Sequence, residues 1–333
     1  MSYITATNLC RNYRRRVKRS RYSLVDLLVP TYEQIFAVHD LNFSIGKGEM
    51  AGLIGLNGAG KSTTMKLLTG VLVPTSGSLT VGGDEPHKNR MKHNKKMGAV
   101  FGQRSQLWWD VPVIDSYRLL QKIYGVAEAD FRTNLEYFTA QLSLGELLNV
   151  PLRLLSLGQK MRCEIAAAFL HSPEVVFLDE PTIGLDFRIK KKIREFVLNV
   201  NRQYNTTIVL TTHDLGDIEE LCNRILVIDA GKILYDGSQV ELKKNFGAEL
   251  ELDIFSEGEQ RVFDVLKTQP GIISILNNAE GGLTVRFDRD KVPAAEIIGK
   301  IAGTVSVTDI RLRGSALENI IEKFYQGQPG DSA

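Results

Sequence analysis

A chain of 333 residues, 43% hydrophobic and 24% charged, has enough apolar material for one large core and a second smaller one, which excludes bulk disorder. Lys and Arg outnumber Asp and Glu by only 41 to 39, so nucleic acid is not expected as the main partner. Three cysteines, Cys10, Cys163 and Cys222, without metal-ligand spacing argue against a disulfide framework or a zinc site, and no apolar run nears the roughly 20 residues that cross a bilayer.

Charge is concentrated near the start, where Arg11 to Arg21 holds seven basic residues and no acid. This run opens an insertion over about 14–35 that reads as a solvated loop, with a short helix from Tyr22 to Val29 ahead of Pro30. A face for anionic lipid or for an acidic partner is the alternative. From Phe36 to about Gly247, short β-rich runs ("MAGLIG", "VVFLDE", "TTIVLTT", "RILVIDA") alternate with helical stretches, the pattern of strands buried between helices. An α/β domain over 1–247 is predicted.

The first motif follows the first of those strands. "GLNGAGKST", Gly55 to Thr63, fits G-x-x-x-x-G-K-[ST] between an apolar strand and the helix "KSTTMKLLTG". Gly55, Gly58 and Gly60 let backbone N–H groups around Asn57 and Ala59 face phosphate oxygens, and the helix start at Lys61, Ser62 and Thr63 adds its positive dipole end. Lys61 supplies a mobile cation and Ser62 a hydroxyl for Mg²⁺.

Residues 104–172 break the alternation with three successive amphipathic helices, so a helical subdomain is expected there. It begins with "QRSQLWWDVP", whose adjacent Trp108 and Trp109 either pack inside the subdomain or line a groove for a partner's helix. It ends with "LSLGQ", where Ser156, Gly158 and Gln159 precede a long helical run, a helix start suited to an anion. The strand "EVVFLDEP" then ends in Asp179 and Glu180, placing two acids at the carboxyl edge of the sheet, where ligands of such folds bind. An acid there can hold Mg²⁺ and the next can polarise an attacking water.

His213, in "LTTHDL", follows another apolar strand and reads as a catalytic rather than a core histidine. Beyond Gly247 the rhythm becomes βαββαβ: a strand Glu249 to Phe255, a helix Glu257 to Thr268, two strands within 272–288, a helix Pro293 to Ala302 and a strand Val305 to Arg313. This suggests a small α+β ferredoxin-like domain over 248–333, with a last helix from Ser315 to Gln326 and a frayed "GQPGDSA" end.

As a set, the phosphate loop, the acid-tipped strand and "LSLGQ" resemble an ABC ATPase over residues 3–247, and further pieces fall in that family's order. Gln103 in "VFGQ" matches the Gln loop, Asp186 in "IGLD" the loop after the acid-tipped strand, His213 the switch histidine and Tyr13 the adenine-stacking aromatic, with Tyr22, Tyr32 and Phe36 as alternatives. The resemblance implies an ABC-type P-loop NTPase cassette that hydrolyses ATP with Mg²⁺. Glu180 is then the general base, His213 positions water and the γ-phosphate, Asp179, Ser62 and Gln103 serve the metal, and Asp186 crosses a dimer interface. Ser156 and Gly158 complete the site of a second copy in a head-to-tail homodimer.

One position departs from the family pattern: Leu157 stands where a glycine is usual. The long insertion, "FGQRSQLWWDVPV", "LSLGQ" and "DEPTIGLD" resemble ATP-binding subunits paired with ABC-2 type permeases, especially the viologen-exporter-like group, thought to serve two different permeases. The expectation is therefore an exporter's motor subunit, peripheral to the cytoplasmic face of the cell membrane. A soluble non-transport ABC ATPase and a catalytically weak regulatory cassette are the alternatives. A GTPase is excluded by the lack of N-K-x-D after the phosphate loop, and a small-molecule kinase leaves "LSLGQ" and "THDL" unexplained.

Overall fold

The computed structural model describes residues 2–17, 31–102, 104–246, 249–278 and 281–313, together with 317, 320 and 321. The chain forms two compact units, Met1–Gly237 and Ser238–Ala333, each with its own apolar core. In chain order the first holds β1 (Ser2–Val17), β2 (Thr31–Gly46), β3 (Met50–Ile54), α1 (Lys61–Leu68), β4 (Ser76–Val81), α2 (Arg90–Lys96) and β5 (Met97–Phe101). The helices α3 (Val113–Tyr124), α4 (Glu128–Leu142) and α5 (Leu157–Phe169) come next. It continues with β6 (Val175–Asp179), α6 (Phe187–Tyr204), β7 (Thr207–Thr211), α7 (Leu215–Leu221), β8 (Arg224–Asp229) and β9 (Lys232–Ser238).

The large sheet runs β5-β6-β7-β3-β8-β9, with β3 and β7 buried at every residue. Strands covered on both faces must be continuously apolar, which is why MAGLI and TIVLT do not alternate. A smaller antiparallel sheet, β2-β1-β4, contributes Leu41, Ile45 and Leu79 to the same core as Met65, Leu67 and Leu68 of α1. The helices α4 and α5 reach α6 through Phe196, whose ring meets those of Phe138 and Phe169 edge-on with centroids 5.3 Å away in both cases.

The basic run is not a loop as far as it is described. Arg11 to Arg16 continue β1 and pair with β2, Arg14 opposite Gln34 and Arg15 opposite Glu33. A two-stranded ribbon carries charge on both faces because neither face is buried, and Arg15 meets the Glu33 carboxylate at 3.2 Å across the ladder. The expected helix from Tyr22 to Val29 lies outside the described residues. All three cysteines are free thiols.

The second unit holds α8 (Gln239–Phe246), β10 (Glu249–Ser256), α9 (Glu259–Leu266), β11 (Ile272–Asn277), β12 (Leu283–Asp288), α10 (Ala294–Ala302) and β13 (Val307–Arg313). Its antiparallel sheet runs β11-β12-β10-β13, the strand order of a ferredoxin-like domain. Val285 and Phe287 on β12 face Leu266 and Ile297 of the helices, so strict alternation marks a sheet buried on one face. Among the described residues no helix is long and apolar enough to cross a membrane.

Candidate functional site

β3 pairs in parallel with β7 and β8, and β7 pairs in parallel with β6. The carboxyl ends of β3, β7 and β6 therefore open along one edge, and each carries a motif: the phosphate loop after β3, Thr212–His213 after β7, and Asp179–Glu180 at the tip of β6. Residues more than 100 positions apart in sequence meet for this reason.

The loop is shaped by close backbone approach. A Cβ on Gly55 would lie 2.4 Å from the Ile228 carbonyl oxygen, and one on Gly60 2.5 Å from that of Ala37. Gly58 has open space around it, but its φ of 85° and the 111° of Gly60 favour glycine. Gly60 precedes α1 without any side-chain cap, which leaves the helix start to a ligand. Lys61 is buried, and its Nζ donates to the carbonyls of Gly55 at 2.7 Å and Leu56 at 3.1 Å. Burial draws its pKa below the usual lysine range, while the charges of Glu180 and Asp179 oppose that shift.

A cavity of about 160 Å³ follows the loop, lined by Asn57, Gly58, Gly60, Lys61, Ser62 and Thr63, with Glu180 and Ala37 also present. A second, of about 540 Å³, shares Ser62 and Glu180 with it and adds Asp179, Gly102 and Phe101. Glu180 has φ 55°, a sharp turn at the strand tip secured by its N–H donating to the Thr211 carbonyl at 2.9 Å. That turn brings its carboxylate 2.7 Å from His213 Nε2. Asp179 accepts a hydrogen bond from the Thr211 hydroxyl, which fixes the neighbouring carboxylate.

Sequence reasoning missed what lies beneath this pair. Asp217, fully buried on α7, accepts from the hydroxyls of Thr182 and Thr212 and from Arg194 Nε at 2.6 Å. Arg194 also reaches the exposed Glu220 at 2.6 Å, so α6, α7 and the loop after β6 share one polar network centred on the buried Arg194–Asp217 pair. Burial works against the guanidinium charge, but the hydrogen bond and charge of Asp217 hold the Arg194 pKa above the ordinary arginine value. A readable signal was present: Arg194 falls in the row of α6 that buries Ile193, Val197 and Val200.

Ser156 caps α5 in a reciprocal box, with Gln159 N–H donating to its hydroxyl at 3.3 Å and Gln159 Oε1 accepting from its N–H at 2.8 Å. The hydroxyl proton stays available to an acceptor. Asp186 caps α6 by accepting from Ile189 N–H at 3.0 Å. The two helix starts touch: a Cβ on Gly158 would lie 2.3 Å from Ile189 Cδ1, and one on Gly184 3.2 Å from Leu157 Cδ2. Leu157 thus packs on the loop after Glu180 while remaining half-exposed. None of Ser156, Gly158, Gln159 and Asp186 lines either cavity.

Gln103 and Tyr22 lie outside the described residues. Tyr13 sits on β1 with the Arg11 guanidinium 4.9 Å above its ring centroid, and Phe36 meets His39 edge-on at 5.1 Å. Tyr13, Tyr32 and Phe36 are all exposed.

A glycine cradle at the end of a central parallel strand, a buried lysine at the following helix start and an acid-tipped strand nearby define a P-loop nucleoside triphosphatase. The sequence matches the family described as ABC transporter over residues 38–183. It is 32% identical over 226 residues to the linearmycin resistance ATP-binding protein LnrL of Bacillus subtilis, covering 68% of this chain and 72% of that one. It is 28% identical over 306 residues to the methionine import ATP-binding protein MetN 2 of Enterococcus faecalis, covering 89% and 85%. A dimeric ATP-binding cassette in a post-hydrolysis state, bound to ADP and Pi, shares the fold with a TM-score of 0.58 at 23% identity, covering 71% of this chain and 98% of that one. The chain belongs to the ABC transporter family, and it is an ATPase that uses ATP with Mg²⁺.

The donor set fits that cation. Ser62 and Asp179 line the same cavity and offer the hard oxygen ligands that Mg²⁺ takes. Among the described residues no three His, Cys, Asp or Glu side chains gather into a metal cage. When bound, Mg²⁺ neutralises charge developing on the phosphate oxygens.

Proposed function

We propose that this chain is the motor subunit of an ABC-2 type exporter, working as a head-to-tail dimer with ATP at the interface. The observation that carries this reading is the division of the site. Glu180 lines the loop cavity with Lys61 and Ser62 and meets His213 at 2.7 Å, whereas the Ser156 helix start lines neither cavity and, among the described residues, has no hydrogen bond with Glu180 or Lys61. A second copy supplies the missing wall, its Ser156 hydroxyl and α5 N-terminus donating to the γ-phosphate held by Lys61. Glu180 serves as general base with His213 positioning the attacking water and γ-phosphate, Asp179, Ser62 and Gln103 serve Mg²⁺, and Asp186 meets the partner. Tyr13 stacks on adenine.

Trp108 and Trp109, 42% and 55% exposed, form the surface that receives a permease helix at the cytoplasmic face of the membrane. The paired permeases are two different ABC-2 type subunits of the viologen-exporter-like kind, on the resemblance of the insertion and motifs. Outward transport agrees with a relative named for Nod factor export in Cupriavidus pinatubonensis, 34% identical over 211 residues, while the one named for methionine import gives the opposite direction. The second unit adds dimer contacts or regulation.

Sedimentation of Glu180→Gln with and without Mg-ATP, beside the ATPase activity of the unaltered chain, tests the motor. An ATP-dependent dimer that hydrolyses at least about 100-fold more slowly than the parent is expected. A variant with parental turnover and no ATP-dependent dimer would favour a regulatory cassette, the reading that Leu157 in the signature invites.

A further inference from the structure

The segment after Gln103 is fastened to α5 by one buried acid with no counterpart in the catalytic scheme. Glu164, two turns into α5 and 7% exposed, accepts from the Ser105 hydroxyl with one carboxylate oxygen and from Gln106 N–H at 3.2 Å with the other. Gln106 Nε2 donates to the Glu164 main-chain carbonyl at 3.1 Å, and Ser105 Oγ accepts from Leu107 N–H at 3.0 Å. One turn earlier on α5, Lys160 Nζ lies 4.4 Å from the Trp109 ring centroid, a cation–π contact on the same stretch. Burial raises the Glu164 pKa, and the hydrogen bonds from the Ser105 hydroxyl and the Gln106 N–H oppose that rise.

The other end of the short span is tied to catalysis. Gly102 N–H donates to the Asp179 carbonyl at 3.0 Å, and a Cβ there would lie 3.1 Å from the Glu180 carbonyl oxygen. Gly102 therefore contacts the acid-tipped strand and Ser105 contacts α5. We propose that Glu164 is the positioning residue that makes 105–109 a moving part of α5, so that displacement of the α5 start on nucleotide closure reaches Trp108 and Trp109. The clasp is a property of the single chain, whereas the signal it carries rests on the dimeric motor.

The chain's two tryptophans are the natural reporters. In the Glu180→Gln background, Glu164→Leu and Glu164→Gln are compared with unaltered Glu164 for tryptophan emission with and without Mg-ATP, with sedimentation of the same samples. Hydrogen exchange at the Gln106 amide is followed without nucleotide. Glu164→Leu leaves the Gln106 N–H without its acceptor, while the Ser105 hydroxyl turns to the Leu107 carbonyl 3.0 Å away, so exchange at Gln106 should accelerate at least about tenfold. The ATP-induced emission change should vanish while the ATP-dependent dimer still forms. Glu164→Gln keeps one carboxamide oxygen and should retain at least about half of the emission change. Parental exchange and a parental emission change in Glu164→Leu would overturn the proposal. If no background chain dimerises with ATP, the transmitted signal falls together with the motor reading, and Gln106 exchange alone judges the clasp.

Discussion

Glu180 occupies a backbone conformation that few residues other than glycine adopt, and the consequence is its contact with His213. Replacing His213 with Ala should lower turnover by about 100-fold or more, because the carboxylate loses the group that orients it, while leaving ATP affinity within about threefold. ATPase kinetics beside equilibrium nucleotide binding separate the two effects. The glycines of the loop are not equivalent. Gly60→Ala forces a Cβ to 2.5 Å from a carbonyl at φ 111° and should abolish ATP binding, whereas Gly58→Ala meets no protein atom, should cost about 1 kcal/mol of stability and should weaken ATP binding less. Calorimetric titration with ATP distinguishes them. That three glycines are needed was legible in the spacing; that backbone carbonyls press on Gly55 and Gly60 was not, because clearance there depends on Ile228 and Ala37, remote in sequence.

Helices α6 and α7 show what residue-by-residue reading overlooks. The α6 sequence FRIKKKIREFVLNV is so basic that one arginine does not stand out, yet Arg194 alone turns inward to Asp217. Arg194→Met strands a buried carboxylate and should cost about 3–5 kcal/mol, whereas Arg194→Met combined with Asp217→Leu should cost less than the sum of the single changes. Urea unfolding of the four chains gives the cycle. Apolar strands, by contrast, were legible as elements because burial on both faces demands continuous hydrophobicity. The ribbon of β1 and β2 escaped the same logic: an unburied ladder leaves no hydrophobic period, so Arg11 to Arg16 read as a loop.

The chain as a whole places every nucleotide motif between Tyr13 and His213, inside the unit ending at Gly237, and gives the second unit a separate core around Phe287. A chain ending at Gly237 should therefore bind ATP within about threefold of the full chain, and any change in dimerisation or turnover reports the contribution of the second unit. Equilibrium binding and sedimentation of both chains measure this. The ferredoxin-like order was legible from two βαβ rhythms in succession. The proposed sharing of the nucleotide site with a second copy was read only through resemblance, since Ser156 and Gly158 line neither cavity.

The Lys61 ammonium resting on the carbonyls of Gly55 and Leu56 makes ligand arrival an exchange rather than an addition. Chloride or acetate, offering fewer acceptors than a run of phosphates, should displace those two hydrogen bonds less readily. A triphosphate, gripping the loop N–H groups at several points at once, repays the exchange. When it leaves, the same carbonyls take the charge back, and the empty chain is not left with a naked cation to foul the next turnover.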